Sequence, residues 1–543
     1  MKNVSLIMKI FHITKHVAGY ILLFTILTVI NTFAGNTGKI AGKIIDKSNN
    51  RPLIGANILI MGTTMGAATG VNGEYYILDI PPGTYEIKAS LIGYQSVIVK
   101  NVNVSADQTT RLDFKLGIQA VQLKSIVVIA STPIVQKDLT STQQNISGKN
   151  IKMLPVENVQ SVINLQAGVV NGHFRGGRLG EVKYMIDGVA VNDVYSGKQT
   201  MEANLNSIQE LQVITGTFNA EYGQALSGVV NEITKIPNNH YSGSFSTYAG
   251  DYVTGRTSLY SYMGGMHPLR THDIQGTLSG PIPLTNGFVK FFSSAKYLSN
   301  NGYLYGKRIF DPQDSSNFNA NNPKDWYIGA TGNGADVPMN YSRILTLQGK
   351  LDFKVGTGRG IILEGLYQKH DYKDYNYLFR FNPDGDYKNF QNTFLGSISY
   401  THVFSQSAFL DLQTSIYSTD YKQYVYKNPL DPRYVSPIKF RQVGGNALYT
   451  AGTQNWHFSH NTKTYTAKIS FTDQITNVHE LKTGIEFDYY SMDYQDFQVM
   501  VLPQNNYKPS LPQSGAFNYN IFHNNPYQFS YYIQDKIELS YLI

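Results

Sequence analysis

The sequence predicts a mainly β protein in three parts: a small N-terminal sandwich, an α/β unit, and a long array of antiparallel strands, about ten strands of a larger closed transmembrane barrel. Three observations predict it. An apolar leader marks the chain for export, and short alternating runs broken by turn signals fill the first hundred residues. After Pro237 the chain alternates with period two, its strands joined by connections that are short and long in turn.

The leader is MKNVSLIMKIFHITKH, a basic stretch, followed by the apolar VAGYILLFTILTVI and by Asn31-Thr32-Phe33-Ala34-Gly35. This is the pattern of a secretory signal peptide over residues 1–34. Its apolar core is shorter than the ~20 residues a spanning helix needs, so membrane residence of the mature chain must use strands. Without Lys2, Lys9 and Lys15, 42 basic residues face 38 acidic ones, a dispersed excess that does not suit nucleic acid. Forty tyrosines against two tryptophans suit strands crossing a boundary between water and lipid. The absence of cysteine excludes disulfides, thiolate metal sites, a cysteine nucleophile and a lipid-modified N-terminal Cys.

Residues 36–117 carry short apolar runs punctuated by Asn-Asn, Asn-Gly, Pro-Pro-Gly and Ile-Gly-Tyr, which predicts a small β-sandwich. The stretch TGVNGEYYILDIPPGTYEIKASLIGY resembles the carboxypeptidase regulatory-like domain, a transthyretin-like sandwich without peptidase chemistry. Residues 118–140 form a linker with one extended β-branched run, SIVVIAS. Such a run either adds to another protein's sheet edge or supplies one more strand to the sandwich.

Residues 141–236 mix helical spacing at Val159, Val162 and Ile163 with strands and many glycines, as an α/β unit does. Within them FRGGRLGEVKYMIDG joins a shaped glycine loop to a strand and an Asp-Gly turn. The residues Arg175, Gly176, Gly177 and Arg178, then Asp187 and Gly188, resemble motifs of the plug domain of TonB-dependent outer-membrane receptors. Glu221, Tyr222, Gly223, Ser227 and Gly228, in AEYGQALSGVVNEITK, resemble that plug's last segment. Ala190 departs from the family, which often has Pro there. The order of sandwich, plug and barrel is similar to that of receptors of Bacteroidetes-type bacteria.

The barrel is predicted over residues 237–543. In LTLQGKLDFKV, Leu345, Leu347, Leu351 and Phe353 oppose Gln348, Lys350, Asp352 and Lys354; TYTAKISFT and ELKTGIEFDYY alternate likewise. Ten strands are expected near 241–249, 273–280, 288–298, 343–354, 360–370, 392–403, 408–420, 463–473, 479–492 and 528–541. Tight turns alternating with long loops mark an outer-membrane barrel, and in hydrocarbon only closure satisfies every strand's backbone. Barrels of eight to ten strands are nearly filled by their own side chains, so ten strands are expected to be part of a larger barrel, C-terminally incomplete in this chain.

The resemblance implies import of a scarce solute, such as a siderophore, oligosaccharide or peptide, by plug movement. The proton gradient drives it through the TonB-ExbB-ExbD complex. The implied partners are that complex, outer-membrane lipid, a small extracellular nutrient and, as a further candidate, a surface lipoprotein; the sandwich is expected in the periplasm and the long loops outside. Within SIVVIAS, Ser125, Ile126, Val127, Val128, Ile129 and Ala130 are the candidate TonB box. Trp326, Tyr327 and Trp456, in long loops dense in aromatic and amide side chains, are candidate ligand contacts. The alternative is an adhesion or structural barrel that keeps the plug fold. Hydrolase, nucleotide-binding and zinc-protease motifs are missing, so neither an enzyme nor a cofactor is expected. His267, His272 and Asp273 are read as loop residues rather than a metal site, and DPQDSSNFN lacks the full spacing of a calcium loop.

Overall fold

Alternation sets the first part of the fold. In β1 (Gly38–Asp46) Ile40 and Ile44 are fully buried, and in β4 (Glu74–Ile80) Tyr75, Ile77 and Ile80 point the same way. Together with β2 (Asn57–Ile60), β3 (Gly66–Ala68), β5 (Gly83–Ser90), β6 (Val97–Val104), β7 (Thr109–Arg111), β8 (Phe114–Leu116) and β9 (Ile126–Ile129) they make two facing sheets. One has the order β4-β1-β7, with β8 also on β1; the other has the order β3-β2-β5-β6-β9. Their inner faces share one core that includes Ile58, Ile87, Val102 and Phe114. The computed structural model describes residues 37–118, 126–129, 141–317, 320–356, 358–436 and 448–538; the leader and most of the linker fall outside them.

The central unit is a mixed sheet of order β10-β15-β16-β13-β14, built from β10 (Gln143–Ser147), β13 (Val182–Ile186), β14 (Val189–Ala190), β15 (Ile208–Ile214) and β16 (Gly228–Thr234). A short hairpin of β11 (Val169–Val170) and β12 (His173–Phe174) stands beside it. Every residue of β13 and β16 is buried, as expected of strands covered on both faces. A short helix, Val159–Asn164, capped by Asn158 through the Ser161 amide, packs Val159, Val162 and Ile163 into the core.

The third part is one antiparallel sheet. It runs through β17 (Ser242–Gly250), β18 (Thr271–Pro281) and β19 (Val289–Asn300). The connection that follows carries four short strands, β20 (Tyr305–Lys307), β21 (Ser316–Asn317), β22 (Tyr327–Ile328) and β23 (Asp336–Pro338). The sheet continues with β24 (Ser342–Gly356), β25 (Arg359–Tyr372), β26 (Lys388–Val403), β27 (Ala408–Tyr424), β28 (Trp456–Gln474) and β29 (His479–Gln498). After a loop holding β30 (Met500–Val501) and β31 (Pro509–Ser510), β32 (Tyr519–Asn524) and β33 (Tyr527–Ile537) pair in succession along β29. Tight turns at 404–407 and 475–478 alternate with the long connections 301–341 and 425–455.

The closed barrel expected from the strand spacing is not formed. Among the described residues β17 pairs only with β18, and β33 only with β29, so the sheet is open with two free edges. The physical reason lies on its inner face. A cylinder of this strand number would be filled by its own side chains, whereas here Leu366, Leu395 and Tyr417 join the hydrophobic core of the central unit. The polarity of the sheet is inverted relative to a soluble one. Gln348, Lys350, Glu364 and Lys482 are buried on the face toward the central unit, while Leu278, Leu347, Phe394, Ile398 and Phe487 are exposed on the other. Among the described residues no helix is long and apolar enough to cross a membrane.

Two glycines show how tightly the central unit is assembled. A Cβ on Gly228 would lie 2.3 Å from the Phe174 ring, and one on Gly177 would lie 2.3 Å from the Ser227 Cβ. The glycine loop and the end segment, far apart in sequence, interlock through these positions. Gly228→Ala is expected to lower stability by about 2 kcal/mol through overpacking, read as a lower thermal midpoint; an unchanged midpoint would contradict this packing.

Candidate functional site

The glycine loop opens with Arg175 and Gly176 in left-handed backbone (φ 46° and 80°). The Arg175 amide donates to the Gly168 carbonyl (2.8 Å), and its guanidinium lies over Gly216, where a Cβ would come within 2.8 Å. Arg178 is exposed; its amide donates to Glu181 Oε2 (2.9 Å). The Glu181 carbonyl in turn accepts the Leu226 and Ser227 amides (3.0 and 3.2 Å). Both motifs therefore meet around Glu181, while Gly223 faces open space.

At the Asp187-Gly188 turn, both residues have positive φ (48° and 80°). Asp187 accepts from the Thr234 amide (2.9 Å) and hydroxyl (2.6 Å), and its Oδ2 lies 2.7 Å from Lys350 Nζ on the large sheet. Gln413 donates to the Asp187 carbonyl (3.1 Å), and Gln348 Nε2 bridges Thr234 Oγ1 (3.0 Å) and Glu364 Oε1 (2.8 Å). Lys350 also faces Glu364 at 3.8 Å. The turn is thus seated on the sheet by a buried, charge-assisted network.

A second seat is Glu221, whose Oε2 receives Lys482 Nζ at 2.7 Å. Lys482 stands 3.7 Å from Asp107 of the sandwich, which also accepts from Tyr222 Oη (2.8 Å) and Gln212 Nε2 (3.0 Å). Beside it Glu210 accepts from the Ala106 amide (2.9 Å) and Asn145 Nδ2 (3.0 Å). Burial pushes the Glu210 carboxyl up to about 7 against the pull of these donors, and the neighbouring Asp107 adds to the rise.

A third contact lies where β28 begins. Asp193 accepts from Thr462 Oγ1 (2.9 Å) and from the Ser196 hydroxyl (2.7 Å), with His460 Nε2 at 3.2 Å. Burial alone would raise this carboxyl, but the facing imidazole and the two hydroxyls hold it at about 2. Tyr195 stacks on His460 with ring centroids 5.0 Å apart and meets Tyr494 at 5.2 Å.

The remaining sequence candidates are dispersed. Trp326 and Tyr327 are exposed on the long connection; Trp326 Nε1 donates to the Ala320 carbonyl (3.0 Å). Trp456 starts β28, and its amide donates to Tyr387 Oη (3.2 Å). Ile126–Ile129 pair in parallel with Val97–Lys100 as the edge strand of the sandwich, with Val127, Val128 and Ile129 exposed; Ser125 and Ala130 lie outside the described residues. His267 stacks on Tyr262 (4.5 Å), while Asp273 stands 3.7 Å from Lys296. The Asp314 carboxylate is taken by its own loop, through the Thr331 hydroxyl (2.6 Å) and the Asp311 and Thr331 amides (2.9 and 3.0 Å). Sequence reasoning missed Asp107, Glu210 and Lys350 as seat residues. The available signal was a lysine repeated on the polar face of alternating strands.

Lys350→Met leaves Asp187 and Glu364 buried without their cation, and should cost about 3 kcal/mol. A double-mutant cycle with Asp187→Asn in urea unfolding checks it; additive effects would deny the pair. Glu210 takes up a proton on folding, because its folded pKa lies above the ordinary 4.5. The stability this brings is complete below pH of about 4.5 and is lost as pH rises through about 7. Glu210→Gln should therefore flatten the melting profile over that window and be about 2 kcal/mol more stable than the wild type at pH of about 8. A variant that keeps the wild-type slope would rule this assignment out.

Residues 40–128 match the CarboxypepD_reg-like domain, and residues 135–230 match the TonB-dependent Receptor Plug Domain. The TonB-dependent transporter Oar of Myxococcus xanthus is 23% identical over 269 residues, 45% of this chain and 25% of Oar. The outer membrane transporter YddB from Escherichia coli has a similar fold (TM-score 0.50, 12% identity) over 73% of this chain and 54% of its own. The chain thus spans a quarter of the length of Oar and about half that of YddB. Residues 40–128 and 135–230 are thus similar, in that order, to a CarboxypepD_reg-like domain and to the TonB-dependent receptor plug domain.

Proposed function

We propose that the chain acts in energised import across the outer membrane, with the plug as the moving part and a TonB-ExbB-ExbD complex as the source of work. One observation carries this reading: the plug is seated on the polar face of a sheet whose opposite face is apolar and exposed. Such a sheet suits lipid on one side and a guarded aqueous path on the other. The seats are ion pairs and hydrogen bonds around Asp187, Glu221 and Asp193. Contacts of this kind have specific geometry and can be exchanged for water when the plug shifts.

The pulled segment in this proposal is Ser125–Ala130. Support comes from its extended portion, Ile126–Ile129, an edge strand with Val127, Val128 and Ile129 exposed, which can take a further strand by main-chain pairing. On the outer side Trp326, Tyr327 and Trp456 offer aromatic surface to a siderophore, oligosaccharide or peptide, and a surface lipoprotein would present such a solute. The sandwich stands in the periplasm and the long connections face outward.

Deleting Ile126–Ile129 tests the mechanism. Strains carrying the wild-type gene, a complete deletion and the short deletion are compared for growth on limiting iron and on single glycans. Import predicts that both mutants fail alike on the same nutrient while the shortened protein stays in outer-membrane fractions. Full growth with the shortened protein would favour an adhesive or structural role.

A further inference from the structure

The sandwich meets the rest of the molecule along a seam of a distinct chemical kind. Among the described residues its apolar core is closed within itself, whereas the plug core runs on into the large sheet. Hydrogen bonds and ion pairs cross the seam. Lys39 Nζ contacts Glu480 (2.7 Å), Glu538 (3.0 Å) and Gln474 (2.8 Å), and Thr109 donates to Glu538 (2.6 Å). Asn477 of the tight turn donates to Glu74, and Asn239 donates to the Gly62 carbonyl (3.2 Å).

The loop Ser105–Gln108 continues β6 directly and reaches both partners: Ala106 and Asp107 hold β15 through Glu210 and Gln212, while Asp107 faces Lys482 of the sheet. A cavity of about 180 Å³ opens at this junction, lined by Lys39, Asp79, Asp107, Glu221 and Lys482 among others. Among the described residues Gln108 Nε2 and Glu221 Oε1 have no protein partner beside it. It is polar and large enough for several waters.

We propose that the sandwich is a releasable clamp: docked through Lys39 and the Ser105–Gln108 loop, it pins the plug to the tight-turn end of the sheet, and it comes away as an intact unit when those ion pairs are broken. The reason is differential. Packed apolar side chains stabilise the sandwich by about 1.5–3 kcal/mol each, whereas the seam's ion pairs, Lys39 with Glu480 and Glu538 and Lys482 with Asp107, are taken out of water, and the hydration their charges regain on parting offsets most of their attraction. The seam therefore parts before the sandwich unfolds. The clamp is a contact within the chain and does not rest on the import reading.

The cysteine-free chain makes the test direct. In the purified full chain, Glu74→Cys with Asn477→Cys places one thiol on each side of the seam, to be joined by a short bismaleimide. Glu86→Cys with Lys100→Cys, an ion pair within the sandwich (2.8 Å), is the control. The seam crosslink should form in the otherwise unchanged chain and fall at least ~5-fold when Lys39→Ala and Asp107→Ala are added, because removing one partner leaves the other buried charge unpaired, with the control unchanged. Hydrogen exchange at Glu210–Ile214 should then quicken at least ~10-fold. A seam crosslink that never forms, or that the double variant does not reduce, overturns the clamp. Unchanged exchange in the plug after release overturns the pinning.

Discussion

A buried ammonium facing two carboxylates, Lys350 against Asp187 and Glu364, is the contact on which the arrangement of plug and sheet depends. A charge taken out of water is costly unless it is paired and its remaining donors and acceptors are used. The sheet turns Lys350, Gln348 and Glu364 inward, so something must satisfy them. The plug's Asp187 carboxylate pairs with Lys350, and its Thr234 hydroxyl accepts from Gln348 Nε2. The inverted polarity of the sheet and the position of the plug are therefore one constraint seen from two sides.

Apolar packing works alongside this pairing. Tyr417, Leu366 and Leu395 extend the plug core onto the sheet and supply area without direction. The ion pairs supply direction. A plug held by packing alone could slide along the strands, whereas Asp187, Glu221 and Asp193 each have a single seat. The three seats lie on different strands, β24, β29 and β28, so together they fix orientation as well as position. The sandwich adds a fourth attachment through Asp107, at the same lysine that seats Glu221.

Much of this was legible in advance, for identifiable reasons. The runs in LTLQGKLDFKV and ELKTGIEFDYY alternate strictly, so the faces of β24 and β29 followed from period two. The glycine loop and the end segment were recognised as a pair, and Gly177, Gly228, Phe174 and Ser227 are where they touch. Closure of the sheet was expected and does not occur, because period and loop length constrain neighbouring strands but say nothing of whether the first meets the last. Ile126–Ile129 was left between two roles, edge addition and a sandwich strand, since a β-branched run serves both equally.

Local chemistry thus determined the strands, their faces, the turns at Asp187-Gly188 and the placement of lysines on the polar side. Those properties depend on residues only a few positions apart. The tertiary structure alone decided which carboxylate each lysine meets, that Glu210 lies beside the Ala106 amide, and that the sheet stays open. The Asp187–Lys350, Glu221–Lys482 and Ala106–Glu210 contacts join residues more than a hundred positions apart, and nothing in the spacing along the chain encodes which buried charge will be the nearest partner.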